Sequence, residues 1–388
     1  MLRLTLAAGH YDRTEALRDG RIRAEGIDLT YLMLRVEEIF WRMAQHREFD
    51  ASEFSLGGYV VRRGRGADDL VAIPVFPSRF FRQSCIFVHE GSGVCGPEDL
   101  RGKRVGVPEY QMTAAVWARG ILADDYGVRA ADVEWVQGGL EEPGRLPFEP
   151  AEPAGVTVGF APADRSLAQM LESGEIDALV TARTPSTFRR GGTAVGRLFA
   201  QPFEVERDYF RRTGIFPIMH TLVVKKEILE ANPWVAFTLF KAFSEAKDLA
   251  MADLTQTSAL PLSLPFLIEH AYQTSDLMGE DFWPYGLESN RHTLETFVRY
   301  MHEQGLIPKP MALETLFPDS TQRRSKSERG GKRSGSDAVG CTLALTLCYI
   351  LFDLTRSAMR GYIIVGKGFL NFSNRANERL VRPAISQV

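Results

Sequence analysis

An α/β protein whose two lobes close on a cleft is the fold class that this sequence predicts, and three observations lead there. Strand-like apolar runs alternate with stretches of helical periodicity from the first residue to about 316, the pattern of mostly parallel sheets covered by helices. The chain has 388 residues, more than one hydrophobic core normally fills. The strand and helix rhythm also restarts near residue 97, after the glycine-rich stretch 91–96.

In chain order, residues 2–8 alternate as a buried strand, a loop carries His10, Tyr11 and Asp12, and residues 14–19 have helical spacing. A strand over 27–34 and a helix over 36–46 follow. A short strand then leads through Ser52-Glu53-Phe54 to Gly57-Gly58, a break typical of a strand-to-helix turn. Strands are expected at 70–74 and 83–89, on either side of Pro77-Ser78-Arg79-Phe80-Phe81-Arg82. Beyond the linker, 97–108 reads as a short helix, a turn and a buried strand, and Thr113 is placed to cap a helix over 114–124. Strands at 133–137 and 155–160, a helix at 167–172 ended by Ser173-Gly174 and a strand at 176–180 build a second lobe. A strand over 218–224 and a long helix over 233–251 return the chain to the first lobe. A last helix over 294–304 stops at Gly305 with Pro308 close behind, and the folded body closes near Leu316. The expected division is 1–91 with 206–318 for the first lobe, 92–205 for the second and 319–388 for a tail. No repeat of 20 to 50 residues is visible, which sets aside solenoids and propellers.

Composition excludes several classes. Hydrophobic residues at 45% and charged residues at 24% suit a soluble globular protein and neither a fibrous chain nor a disulfide scaffold. Residues 320–388 hold 12 Lys/Arg against 4 Asp/Glu, a tail charge of +8, so the net −3 of the whole chain leaves −11 on residues 1–319. An acidic body is a poor partner for nucleic acid, and none is expected. Cys85, Cys95, Cys341 and Cys348 have neither zinc spacing nor framework density, so free thiols in a reducing compartment are expected. The apolar run at the N-terminus is too short for a signal-peptide core, which points to a cytoplasmic setting. Seven dispersed histidines form no His-x-x-x-His or His-x-His pair, the glycines of 91–96 read as a linker, and no phosphate loop is present. Neither a metal nor any other cofactor is therefore expected. In the tail, 322–335 is a basic polar run that reads as a flexible linker. The apolar stretch 338–352 is shorter than the roughly 20 residues of a membrane span and ends at Asp353, so membrane contact is not expected.

Five phrases carry a family resemblance over residues 1–318. They are Ser52-Glu53-Phe54-Ser55-Leu56-Gly57, Pro77-Ser78-Arg79-Phe80-Phe81-Arg82-Gln83-Ser84, Asp99-Leu100-Arg101-Gly102-Lys103-Arg104-Val105-Gly106-Val107-Pro108, Gly174-Glu175-Ile176-Asp177-Ala178 and Trp283-Pro284-Tyr285-Gly286. With their order they resemble the 4,5-dihydroxyphthalate decarboxylase family, which has the type II periplasmic-binding-protein-like fold. The third and fourth phrases recur across binding proteins of that fold and speak for architecture. The arginine-aromatic segment and Trp-Pro-Tyr-Gly are more particular to the decarboxylase-like branch. The resemblance implies non-oxidative decarboxylation of 4,5-dihydroxyphthalate, or a similar catechol dicarboxylate, to 3,4-dihydroxybenzoate and carbon dioxide. The alternative on this fold is a non-catalytic solute-binding protein that captures a small aromatic or carboxylic acid for transport or sensing. The short N-terminal apolar run argues against it, and homo-oligomerisation is left open.

Candidate site residues follow from what an aromatic dicarboxylate needs. Arg79 and Arg82 could pair its carboxylates, although two arginines three apart do not share one face of a regular strand; without a bulge, one is solvated or salt-bridged. Ser84 could donate a hydroxyl to the same group. Thr113, at a helix start, could help hold an anion or only cap the helix. Removing carbon dioxide from an arene without a cofactor requires an acid at the ring carbon and a base near a hydroxyl para to it. His220, His10 and Glu53 fit by type, with His220 favoured as proton donor or phenol partner and Asp12 as an orienting group for His10. A core histidine and a solvated loop histidine are the plain alternatives for His220 and His10. Phe80, Tyr110 and Tyr285 could wall the ring, while packing is the usual fate of such residues and the better reading of Trp283.

Overall fold

The computed structural model describes residues 1–145, 147–189 and 194–317, so the expectations for the tail 319–388 and for Cys341 and Cys348 lie outside the described residues. Strands β1 (Leu2–Ala8), β2 (Ile27–Met33), β3 (Ala51–Ser55), β4 (Leu70–Ile73) and β11 (His220–Lys225) form one sheet in the order β2-β1-β3-β11-β4. β1 runs parallel to β2 and β3, whereas β11 inserts antiparallel between β3 and β4. All five residues of β3 are buried, as expected for a central strand covered on both faces. Strands β5 (Ile86–His89), β6 (Arg104–Val107), β7 (Glu134–Gln137), β8 (Val158–Phe160), β9 (Ala178–Val180) and β10 (Val195–Arg197) form a second sheet, β10-β5-β9-β6-β7-β8. This is the two-lobed α/β architecture expected from the sequence.

One boundary moves. Strand β5 pairs with β9 and β10 in the second sheet, so the chain crosses between lobes before residue 86 and not at the glycine-rich stretch 91–96. That stretch makes a tight turn inside the second lobe, where Gly93 takes φ 74°. The crossing is made by 74–85, whose Arg79 bridges to Ile218, two residues before the returning strand β11. Strand β10 and the helix Pro202–Thr213 were not anticipated from the sequence; a three-residue strand carries too little periodicity to read.

Helices α1 (Asp12–Arg18), α2 (Val36–His46) and α3 (Leu56–Gly64) follow strands of the first sheet, and α4 (Thr113–Tyr126) follows β6. The lobes touch where α3 begins. A side chain at Gly57 would lie 2.4 Å from the Gln111 carbonyl oxygen, so only glycine fits there. The Gly57 amide donates to Thr113 Oγ1 at 2.8 Å, and the Ser55 and Thr113 hydroxyls are 2.9 Å apart. Thr113 is thus the first helical residue after Met112 and not its cap; its hydroxyl serves the other lobe. On the far side, the helix Arg291–Glu303 packs Tyr300 over Gly120 of α4, and Tyr300 donates to Asp124 at 2.6 Å. The same C-terminal stretch meets α3, where Tyr59 donates to the Leu316 carbonyl at 2.6 Å. Among the described residues no helix is long and apolar enough to cross a membrane.

Candidate active site

A cavity of about 350 Å³ lies between the lobes. Its first wall is built at the carboxyl ends of β1 and β3, where α/β sheets place their ligands. Glu53 on β3 faces Leu222 of β11, which puts His220, two residues earlier, diagonally on the same sheet face. His220 Nδ1 is 2.6 Å from Glu53 Oε1. The same oxygen accepts from the Tyr11 hydroxyl at 2.6 Å, and Oε2 accepts from the Gly9 amide at 2.7 Å. Burial alone would raise the fully buried Glu53 carboxyl, but the hydrogen bonds from His220, Tyr11 and Gly9 prevail and hold it below its ordinary value. Burial, and then the charge of Glu53, push the Tyr11 hydroxyl far upward, so it stays a donor. Phe40 meets the His220 ring edge-on at 4.9 Å. With Nδ1 committed to a carboxylate behind it, His220 lines the cavity and offers Nε2 to a ligand.

Arg82 lines the same cavity and is 94% buried, yet among the described residues no carboxylate is bonded to it. Its guanidinium is cradled by sulfur, with Nε 3.0 Å from Met219 Sδ and one terminal nitrogen 3.5 Å from Cys85 Sγ. It lies over the Phe80 ring at 4.9 Å. Burial lowers its pKa, and these weak acceptors solvate it poorly. The opposite wall comes from loops after β6, β7 and β9. Glu109 is buried and accepts from Arg145 Nε at 2.8 Å and from Gln111 Nε2 at 3.0 Å. Burial raises its carboxyl above the ordinary value despite Arg145. Arg183, after β9, bonds to Glu37 of α2 across the mouth of the cleft.

Of the residues selected by sequence, His220, Arg82, Thr113 and Phe80 line the cavity, with Glu53 directly behind His220. The others are placed elsewhere. His10 is exposed, and its neighbour Tyr11 turns inward instead, while Asp12 bonds to Arg13 and not to His10. Arg79 is buried away from the cavity, where it donates to the carbonyls of Phe216 and Pro284 and to Asn290 Oδ1. Burial lowers its guanidinium to about 9, and its work is to tie 79 to 284–290. Ser84 gives its amide to Glu206 at 2.9 Å. Tyr110 is core: its hydroxyl reaches the Gln304 carbonyl at 3.2 Å and its ring carries Arg119 at 3.8 Å. Tyr285 is 8% exposed and its hydroxyl has no partner; Trp283, as expected, packs, donating to the Phe76 carbonyl at 3.0 Å. Tyr11, Glu109, Arg145 and Arg183 were missed. Glu109 follows a buried strand by two residues, and the rule that ligands meet carboxyl strand ends would have selected it. Among the described residues no group of three or more His, Cys, Asp or Glu is placed to hold a metal ion.

No family model matches the chain. It is 41% identical over 317 residues to the 4,5-dihydroxyphthalate decarboxylase of Comamonas testosteroni, covering 81% of this chain and 96% of that protein. It is 43% identical over 211 residues to the enzyme of the same name from Pseudomonas putida, covering 54% and 82% respectively. Among solved structures it is similar to the periplasmic aliphatic sulphonate binding protein SsuA from Escherichia coli, at 14% identity over 83% of this chain and 99% of that one, with a TM-score of 0.47.

Proposed function

The chain belongs to the 4,5-dihydroxyphthalate decarboxylase family, and from that premise we propose that it is a carboxy-lyase, turning 4,5-dihydroxyphthalate, or a close catechol dicarboxylate, into 3,4-dihydroxybenzoate and carbon dioxide. One observation carries the reading: a buried arginine without a carboxylate partner shares a cavity with a histidine backed by a buried glutamate. The cavity, about 350 Å³, falls in the range of small-ligand sites, roughly 300–1,000 Å³.

Arg82 exchanges its sulfur contacts for the carboxylate that the product retains, a charge-assisted pairing that the buried guanidinium otherwise lacks. His220 Nε2 receives the proton of the hydroxyl para to the departing carboxylate. Glu53 stabilises the resulting imidazolium through Nδ1, and Tyr11 with the Gly9 amide keeps that carboxylate ionised. With the phenolic oxygen pushing electrons into the ring, the carbon bearing the second carboxylate accepts a proton. The carbon–carbon bond then breaks, its electron pair restores the aromatic ring, and carbon dioxide leaves. The free thiols of Cys85 and Cys95 suit the reducing cytoplasm as the setting.

The test is to incubate the purified protein with 4,5-dihydroxyphthalate and follow carbon dioxide release and appearance of the dihydroxy monoacid. Turnover by the wild type and its loss in His220→Ala support the reading. Tight binding of the diacid with no carbon dioxide would replace it with that of a solute-binding protein.

A further inference from the structure

Decarboxylation of an arene carboxylate consumes one proton, which the first wall of the cavity does not supply, because His220 there faces the phenol. The charges around the cavity define the shortage. Among the described residues, Arg82, Arg145 and Arg183 line it, against Glu37 and Glu109 on its surface and Glu53 behind His220. Three cations meet three carboxylates. A dianion entering this balanced site brings two uncompensated negative charges, and Arg145 and Arg183 are both already held by glutamates. Proton uptake by a carboxylate on the second wall would free an arginine for the substrate and load the proton that the reaction needs.

We infer that Glu109 is that carboxylate: it takes up a proton as the diacid binds, yields Arg145 to the departing carboxylate and delivers the proton to the ring carbon. The inference rests on the decarboxylase reading above and names its acid. Glu37 is the poorer candidate, since its side chain is 34% exposed and water stabilises its charge, whereas that of Glu109 is 2% exposed. The groups facing Glu109 suit a carboxyl that changes state. Arg145 comes from the loop after β7 and contacts Oε1. Gln111 contacts Oε2 with its amide nitrogen, while its own buried Oε1 has no partner. A turn of that amide would let it accept from a protonated Oε2, so the contact survives in both states. The Phe148 amide is a further donor, and Glu37 adds a like charge from α2. Burial raises the carboxyl in the same sense.

The step balances. The Glu109 carboxyl O–H bond breaks and a ring C–H bond forms. The para hydroxyl proton passes to His220 Nε2, the ring–carboxylate bond gives its pair back to the ring, and His220 returns its proton to the phenolate. Glu109 is left as carboxylate beside Arg145, ready to take the next proton from solvent. Overall the diacid dianion and one proton become the monoacid anion and carbon dioxide.

Glu109→Gln preserves shape and removes the proton. Single-turnover carbon dioxide release from 4,5-dihydroxyphthalate should fall by roughly 10²–10⁴-fold, with KM changed little and with Glu109→Asp recovering part of the rate. Phthalate, which lacks the para hydroxyls, is the binding probe. Calorimetry in buffers of different ionisation enthalpy should show proton uptake on phthalate binding by the wild type and less by Glu109→Gln. Equal uptake by both proteins, or an unchanged single-turnover rate in a folded Glu109→Gln, overturns the inference while wild-type turnover keeps the decarboxylase reading. A wild type that binds phthalate but releases no carbon dioxide from 4,5-dihydroxyphthalate overturns the reading itself. Should Glu109→Gln fail to fold, Glu109→Asn, which likewise carries no titratable proton, makes the same comparison.

Discussion

The two walls of the cleft are built differently. On the first, β3 and β11 carry Glu53 and His220 at fixed diagonal positions of a sheet, and both Glu53 oxygens have donors. On the second, Glu109, Arg145 and Arg183 stand on loops, Glu109 paired with Arg145 and Arg183 with Glu37 of α2 across the mouth. On the proposed mechanism the difference separates what must stay in place from what must exchange partners: strand-borne groups would hold the phenol, and loop-borne pairs would open to admit the diacid.

The sharpest way to break this comparison is at the first wall. His220→Ala should lower the rate of carbon dioxide release by roughly 10²–10⁴-fold, as measured by single turnover. A loss of only a few-fold would mean that the strand-built dyad is structural. Next in size is Arg82→Met, which removes the cation that lacks a carboxylate partner. It should raise KM for the diacid by about tenfold to a hundredfold, corresponding to one charge-assisted hydrogen bond of roughly 1.5–3 kcal/mol, while leaving the fold intact because its guanidinium donates only to sulfur atoms and lies on the Phe80 ring, contacts that a methionine can replace by packing.

The acid limb of stability sharpens the same contrast. Because the folded Glu53 carboxyl lies below its ordinary value, its contribution is complete above the usual carboxylate range and is lost as pH falls through the depressed folded value. Urea unfolding as pH is lowered should therefore show a decline that Glu53→Gln lacks. Thr113→Ala deletes two hydrogen bonds between the walls and should cost about 1–3 kcal/mol in the same assay. The smallest effect belongs to the mouth. Glu37→Gln breaks a pair whose arginine side chain is 60% exposed, and stability should change by less than about 1 kcal/mol.

The contrast also explains what was legible beforehand. Glu53 and His220 could be selected because each sits on a run of buried residues whose strand character shows in the sequence, at the end where a lobe opens. Arg82 was legible as one of two arginines three apart, but which of them faces the cleft was not. The crossing segment is irregular, and its orientation is set by Ile218, Pro284 and Asn290, contributed from 139 to 211 residues away. The inward turn of Tyr11 in place of His10 depends on the Gly9 amide reaching Glu53, a contact over 44 residues. Glu109 and Arg145 pair across 36 residues through a loop with no periodicity. The lobes were legible as alternating elements, but strand β5 was assigned to the wrong one, because a short strand does not announce which edge it will join.

The glycine at position 57 has a mechanical consequence. Backbone meets backbone there with no side chain between, and Thr113 bolts the contact from the other side. A joint so tight leaves no room for a side chain, so a bulkier residue at 57 would act as a wedge that drives Gln111 and Thr113 away from α3 and widens the cleft between the lobes.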